Sequence, residues 1–340
     1  TASKISNLKA VSTQSIKLSL QQLKKGEVPT ALTPASIVGY VKDGSTGAMR
    51  TLAGYRPNQR VGILMAVYTL SLLGSSLGFK SFLYFVSVGY CASIGIIAAV
   101  ALILSNIWTN KGIPFLSNLH TGLALLWSIR LTAFLLYREY INWPQWHNKL
   151  TEVDERVSTQ SKLTIWITCA TFYSMMMLPC IYRLKDAVLS GTSSASKPGT
   201  AIAHWGPVAK TGIVLQLTGL LLESIADHQK GSFKRRDGNR HRWCNIGLWS
   251  VFTHPNYLGE LVFWSGTYIG GLGCYTSIHE WFLATGGLLF SLTVMKGAID
   301  SLSSKHLRHY GDDDEYLEFR RTHSLLGPFR TPFQKNLLSL

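Results

Sequence analysis

Seven long apolar blocks constrain this chain more than any other feature of its sequence. They run roughly over residues 61–79, 82–104, 119–137, 163–182, 207–226, 257–275 and 279–297. Most approach the ~20 residues that carry an α-helix across a bilayer. In lipid every backbone N–H and C=O must find a partner within the protein, so such blocks fold as helices. The expected fold class is therefore all-α, a polytopic integral membrane bundle of about seven transmembrane helices. Gly and Ser recur inside the blocks, as close helix packing in lipid requires. Lys210, Glu223 and Glu260 intrude on the fifth and sixth blocks, which makes these the weakest of the seven.

Composition agrees. Only 15% of the 340 residues are charged, and the mean hydropathy is +0.15. The formal net charge of +15 would suggest nucleic acid on a soluble protein. Here the basic residues stand at block ends and in loops, where lipid phosphates or an anionic cofactor are the natural partners. No nucleic-acid-binding signature accompanies them, so no nucleic-acid partner is expected. The five cysteines have no CxxC spacing and four lie in apolar blocks, which predicts free thiols and no bound metal.

Residues 1–60 are different in kind. This arm is basic and polar, and its acids are Glu27 and Asp43. It cannot bury a core, so it is expected on a surface or against protein partners in a complex. Its Ser-, Thr- and Lys-rich start has the composition found around organelle transit-peptide cleavage sites. An organelle membrane, mitochondrial or plastid, is the expected location, with the endoplasmic reticulum as the alternative. The expected division is an arm at 1–60, a membrane domain at 61–332 and a tail at 333–340.

Three stretches carry candidate chemistry. The first, "ESIADHQKGSFKRRDGNRHRWCNIGLWSVFTHPNY", leaves the fifth block and enters the sixth. Its Lys and Arg can clamp phosphates while its acids bind hydroxyls; a loop contacting lipid headgroups is the simpler reading of basicity alone. At its end Pro255 suits the first turn of a helix, and Tyr257 and Glu260 share a face. Ionisable groups at membrane depth are functional by default. The second stretch, "LLWSIRLTAFLLYRE", places Arg130 too deep to reach water easily, so it should meet a polar cavity or a carboxylate such as Glu223 or Glu260. A purely structural ion pair is the alternative. The third, "YGDDDEYLEFRRTH", joins an acid run, read as a solvated face, to Arg320 and Arg321.

These stretches, with "GLWSVFTHPNYLGELVFWSG", resemble in order and spacing the DUF1295 family of the steroid 5-alpha-reductase C-terminal superfamily, over roughly residues 60–332. The resemblance implies an NAD(P)H-dependent reductase of a carbon–carbon double bond in a lipid-like substrate. Related isoprenylcysteine methyltransferases imply S-adenosylmethionine as the alternative cofactor. A catalytically degenerate accessory subunit, with no cofactor, is the further alternative. Carried over by motif, Tyr257 and Glu260 are the catalytic candidates. Asp227, Gln229, Lys230, Lys234, Arg235, His254 and Asn256 are the cofactor-binding candidates, joined by Arg130 and Arg321. The partners implied are membrane lipids and a lipid-like substrate. Thr253 stands where the family usually has Arg, and "INWPQWHNKL" replaces the family's "DWR". Both departures motivate the accessory-subunit reading.

Overall fold

The computed structural model describes residues 56–107, 112–142, 152, 154–192 and 206–328. The arm up to residue 55, the 143–150 departure and the tail at 333–340 lie outside the described residues. The chain divides into two units at Met65, and the described part of the first is the opening of helix α1 (Arg56–Ser75). The second unit holds the bundle.

Each of the seven blocks falls on a helix. After α1 come α2 (Val88–Ile107), α3 (Phe115–Tyr137), α4 (Thr159–Thr192) and α5 (Gly206–Arg235). Then follow α6 (Pro255–Gly271), α7 (Ile278–Tyr310) and the short α8 (Asp314–Thr322). Among the described residues six helices are long and apolar enough to cross a membrane, α1 to α5 and α7. The expected sixth span, α6, has 17 residues. It stands at the lower edge of crossing length, because Leu272–Cys274 tightens into a 3₁₀ turn. The second block is also shorter as a helix than its apolar run. Phe82–Val86 forms a 3₁₀ turn before α2. Partners from elsewhere hold that turn: Asp154 Oδ1 accepts from the Phe82 amide at 2.9 Å, and the Tyr173 hydroxyl donates to the Phe85 carbonyl at 2.8 Å.

Helix starts follow local chemistry. Pro255 occupies the first turn of α6, where its missing N–H costs nothing. Ser277 caps α7 by accepting from the Glu280 amide, and Glu280 accepts from the Thr276 amide at 2.6 Å, close to a capping box. The acid run has the same explanation. Asp313 caps α8 and accepts from the indole of Trp243 at 3.0 Å. Asp314 and Glu315 sit in its first turn, where the helix dipole favours them.

Helix α4 packs against α2, α3, α6 and α7, and the closest pair is α5 with α6. Glycines set that pair. A Cβ on Gly219 would stand 2.5 Å from the Gly259 carbonyl oxygen, and one on Gly259 would stand 2.5 Å from the Glu223 amide nitrogen. At the bundle centre the Trp127 and Phe263 rings stack at 5.4 Å, with Tyr90 and Trp264 edge-on to Trp127.

Candidate functional site

The glycine seam brings Glu223 of α5 beside the start of α6, and α3 closes the third side. Arg130 lies between two acids. Its Nη1 donates to Asp227 Oδ2 at 2.6 Å, and its Nη2 makes an ion contact with Glu223 Oε1 at 2.5 Å. Trp127, one turn before Arg130 on α3, donates to the other Glu223 oxygen at 2.8 Å. Glu223 and Asp227 are buried. The depth of Arg130 thus has the carboxylate partner that its position demanded, Glu223, and a second in Asp227.

Glu260 is buried one turn along α6 and accepts from the Tyr90 hydroxyl at 3.0 Å. Tyr257 is half-buried on the same helix face, and its phenol has electrostatic neighbours in Glu260, Arg138 and Asp227. The ammonium of Lys230 lies 4.4 Å above the Trp249 ring and within electrostatic reach of Asp227. His254 is buried, and its Nε2 is 2.8 Å from the Ser303 hydroxyl. Its ring stacks 5.8 Å from that of His306. The His254 Nδ1 and Asn256 Oδ1 atoms are buried and have no hydrogen-bond partner among the described residues. Lys230 and Arg320 lie close enough to disfavour a charge on His254.

Arg130, Asp227, Lys230, His254, Asn256, Tyr257 and Glu260 therefore gather where α3, α5 and α6 meet. Other predicted contacts have local duties. Gln229 Oε1 accepts from the Leu248 amide at 2.9 Å, and Gly247, with φ +57, leaves room for the Gln229 amide. Gln229 holds the loop. Lys234 donates to the carbonyls of Arg240 and Arg242 and to the Tyr310 hydroxyl. Arg235 is exposed and donates to Ser232 at 3.1 Å. Of the adjacent arginines in α8, Arg321 is exposed, whereas Arg320 turns inward and donates to the Ser303 carbonyl at 3.1 Å.

Sequence reasoning missed Tyr90, Trp127, Ser303 and His306, and it chose Arg321 over Arg320. Helical spacing would have found two of these. Trp127 precedes Arg130 by three positions, and Arg320 follows the buried Tyr316 by four. Nothing local marks Tyr90, which reaches Glu260 across 170 positions of chain.

Burial, reinforced by Lys230 and Arg320, pushes the His254 imidazole down to about 4, so it is neutral at pH 7. The unfolded chain, with an ordinary value near ~6.5, takes up this proton more readily than the folded one. Stability from a neutral His254 is complete above pH ~6.5 and is lost as pH falls through about 4. The loss is on the order of 3 kcal/mol. Thermal unfolding of the detergent-purified protein should fall over that window. His254→Asn, which has nothing to titrate there, should flatten the fall. An unchanged slope in the variant would assign the acid sensitivity to other groups.

Spanning-length apolar helices closing over a buried, charge-paired polar centre define an integral membrane protein. The chain belongs to the DUF1295 family, described as "Protein of unknown function (DUF1295)", whose pattern matches residues 81–323. A curated relative, the "Probable O-methyltransferase ustE" of Ustilaginoidea virens, is 25% identical over 105 residues, 31% of this chain and 32% of the relative. The match thus spans about a third of that relative's length. No solved structure matches significantly.

Proposed function

We propose that the protein is a membrane-embedded NADPH-dependent reductase of a conjugated carbon–carbon double bond in a lipid-like substrate. One observation carries this reading. A cationic, aromatic rim of Lys230, Trp249 and Arg320 adjoins a buried acid–base centre, and two buried polar atoms at the rim, His254 Nδ1 and Asn256 Oδ1, lack partners among the described residues. Such atoms are rare unless a ligand or water meets them. The donor set suits a phosphate-bearing dinucleotide: cations for phosphate, an amide oxygen and a neutral imidazole for hydroxyls or a carboxamide.

In this reading Lys230 and Arg320 hold phosphate, and His254 and Asn256 orient the cofactor's uncharged polar groups. The cofactor, when bound, supplies a hydride. Tyr257 holds the donor hydrogen that stabilises the developing enolate oxygen. Glu260 fixes the α6 face by its bond from Tyr90. The Arg130–Glu223–Asp227 cluster keeps α3 against α5 beneath them.

The test is NADPH titration of purified protein, followed by absorbance at the nicotinamide band with hydrophobic enones. Lys230→Gln should weaken NADPH binding about tenfold, the worth of one lost charged contact. Tyr257→Phe should bind NADPH normally and lower turnover by about 10²-fold. Wild-type protein that binds S-adenosylmethionine and not NADPH would overturn the reading. It would favour the methyltransferase alternative, which the partial likeness to an O-methyltransferase supports. Binding of neither cofactor would favour an accessory subunit. An organelle membrane is the location this reading carries, tested by fractionation.

A further inference from the structure

The opposite end of the bundle holds a second polar group, unconnected with the cofactor reading. Arg183 of α4 is buried, and among the described residues no carboxylate lies within ion-pair distance of it. Its Nη1 donates to the Gly270 carbonyl at 2.7 Å, at the C-terminal end of α6, and lies 4.0 Å from Cys274 Sγ, while its Nε has no hydrogen-bond partner among the described residues. The helix end offers only about half a negative charge. A guanidinium at membrane depth pairs with a carboxylate or with backbone carbonyls, and Arg183 has the second. Lys185 has a carboxylate, because it pairs with Glu280 at 2.6 Å. Asp186, half-buried, lies within electrostatic reach of Arg183 and Lys185 and forms no ion pair among the described residues. One cation and one anion at the same membrane face therefore lack a direct ion pair among the described residues.

Beneath them lies a shallow, narrow apolar slot between α4, α6 and α7, lined by Met176, Pro179, Tyr268, Ala284 and Leu288 among others. Pro179 is one turn before Arg183 on α4, and Ala284 is one turn after Glu280 on α7, so slot and polar group share one line along the bundle. Two further facts shape the slot. Pro179 interrupts the hydrogen bonding of α4. Gly287 lets α7 approach at that turn, since a Cβ there would stand 2.6 Å from the Met175 carbonyl carbon.

We propose that this corner binds one zwitterionic phospholipid of the ethanolamine type. Its phosphate meets Arg183, its ammonium meets Asp186, and an acyl chain lies across the mouth of the apolar slot. Charge complementarity selects this occupant. The four ionisable groups, Arg183, Lys185, Asp186 and Glu280, sum to zero, which suits a headgroup that is itself neutral overall. A phosphate alone would leave Asp186 facing it. An ammonium bearing N–H groups gives Asp186 a donor that a trimethylated headgroup lacks.

The test is native mass spectrometry of the full chain released from nanodiscs of equimolar phosphatidylethanolamine, phosphatidylcholine and phosphatidylglycerol. Wild type should retain one phosphatidylethanolamine about fivefold over the other two, near 1 kcal/mol of selectivity. Asp186→Asn should shift retention toward phosphatidylglycerol. Leu288→Trp, which replaces a lining residue of the slot by a bulkier one, should lower retention of all three, and exposed Lys296→Gln should change nothing. Millimolar inorganic phosphate should not displace the lipid. Displacement by phosphate would show a free-anion site instead. Equal retention of the three lipids by wild type would reduce Arg183 to a cap on α6 and overturn the proposal, whatever the folding of the variants.

Discussion

Replacing Arg130 by leucine should abolish recovery of folded, monodisperse protein, or lower its unfolding temperature sharply. The side chain joins α3 to both Glu223 and Asp227. Its loss leaves two buried carboxylates facing each other without the guanidinium that pairs with both, at a cost of about 3–5 kcal/mol. That is a large part of a typical margin of stability, ~5–15 kcal/mol. Glu223→Gln should be much milder. Arg130 keeps Asp227, and the glutamine oxygen can still accept from Trp127. The double variant Arg130→Leu with Glu223→Gln should recover part of the loss, because one stranded charge is gone. Thermal unfolding in detergent, read by size-exclusion fluorescence, ranks the four proteins. Equal stability of Arg130→Leu and wild type would mean that the cluster is solvated in the membrane.

The experiment also separates scaffold from chemistry. If Glu223→Gln folds and binds cofactor as wild type does, the cluster is a brace for α3 and α5. If it folds and loses cofactor binding, the charge on Glu223 reaches the ligand site. Either result bears on how Lys230 and Tyr257 are held, since Asp227 is an electrostatic neighbour of both.

The bundle was legible because lipid permits few alternatives. Length and apolarity alone placed all seven helices, and the misplaced boundaries have local causes. Phe82–Val86 is apolar enough to join a helix, yet Asp154 and Tyr173 satisfy its backbone in a tighter turn. The site was legible only in part. Arg130 announced a carboxylate partner because a lone guanidinium in hydrocarbon is costly. Motif likeness could not tell Lys230, beside the acid centre, from Gln229, which props the loop. Spacing within the motif is the same for both, and the difference lies in which face of α5 meets the loop. Tyr90 and Ser303 were illegible because their partners come from distant helices, and no local pattern encodes a tertiary contact.

The second large effect concerns the seam that makes the site possible. Gly212 and Gly219 of α5 are seven residues apart, as are Gly259 and Gly266 of α6. That repeat keeps small residues facing along two antiparallel helices. A Cβ on Gly219 would meet backbone, the Gly259 carbonyl oxygen and the Phe263 amide, and no flexible side chain is there to move aside. Gly219→Ala should therefore cost about 3 kcal/mol, the scale of an overpacked core, although alanine is the better helix former by ~1 kcal/mol. Gly122→Ala supplies the matched comparison. Its Cβ would meet nothing within 4 Å, so the propensity gain stands alone and the variant should be as stable as wild type or slightly more so. The two substitutions are chemically identical and differ only in what stands opposite. The order Gly122→Ala, wild type, Gly219→Ala in unfolding temperature is expected, and Gly219→Ala should also weaken cofactor binding by moving Glu223 away from the start of α6. If Gly219→Ala is as stable as Gly122→Ala, the helices are not in backbone contact, and the seam does not place Glu223 beside Glu260.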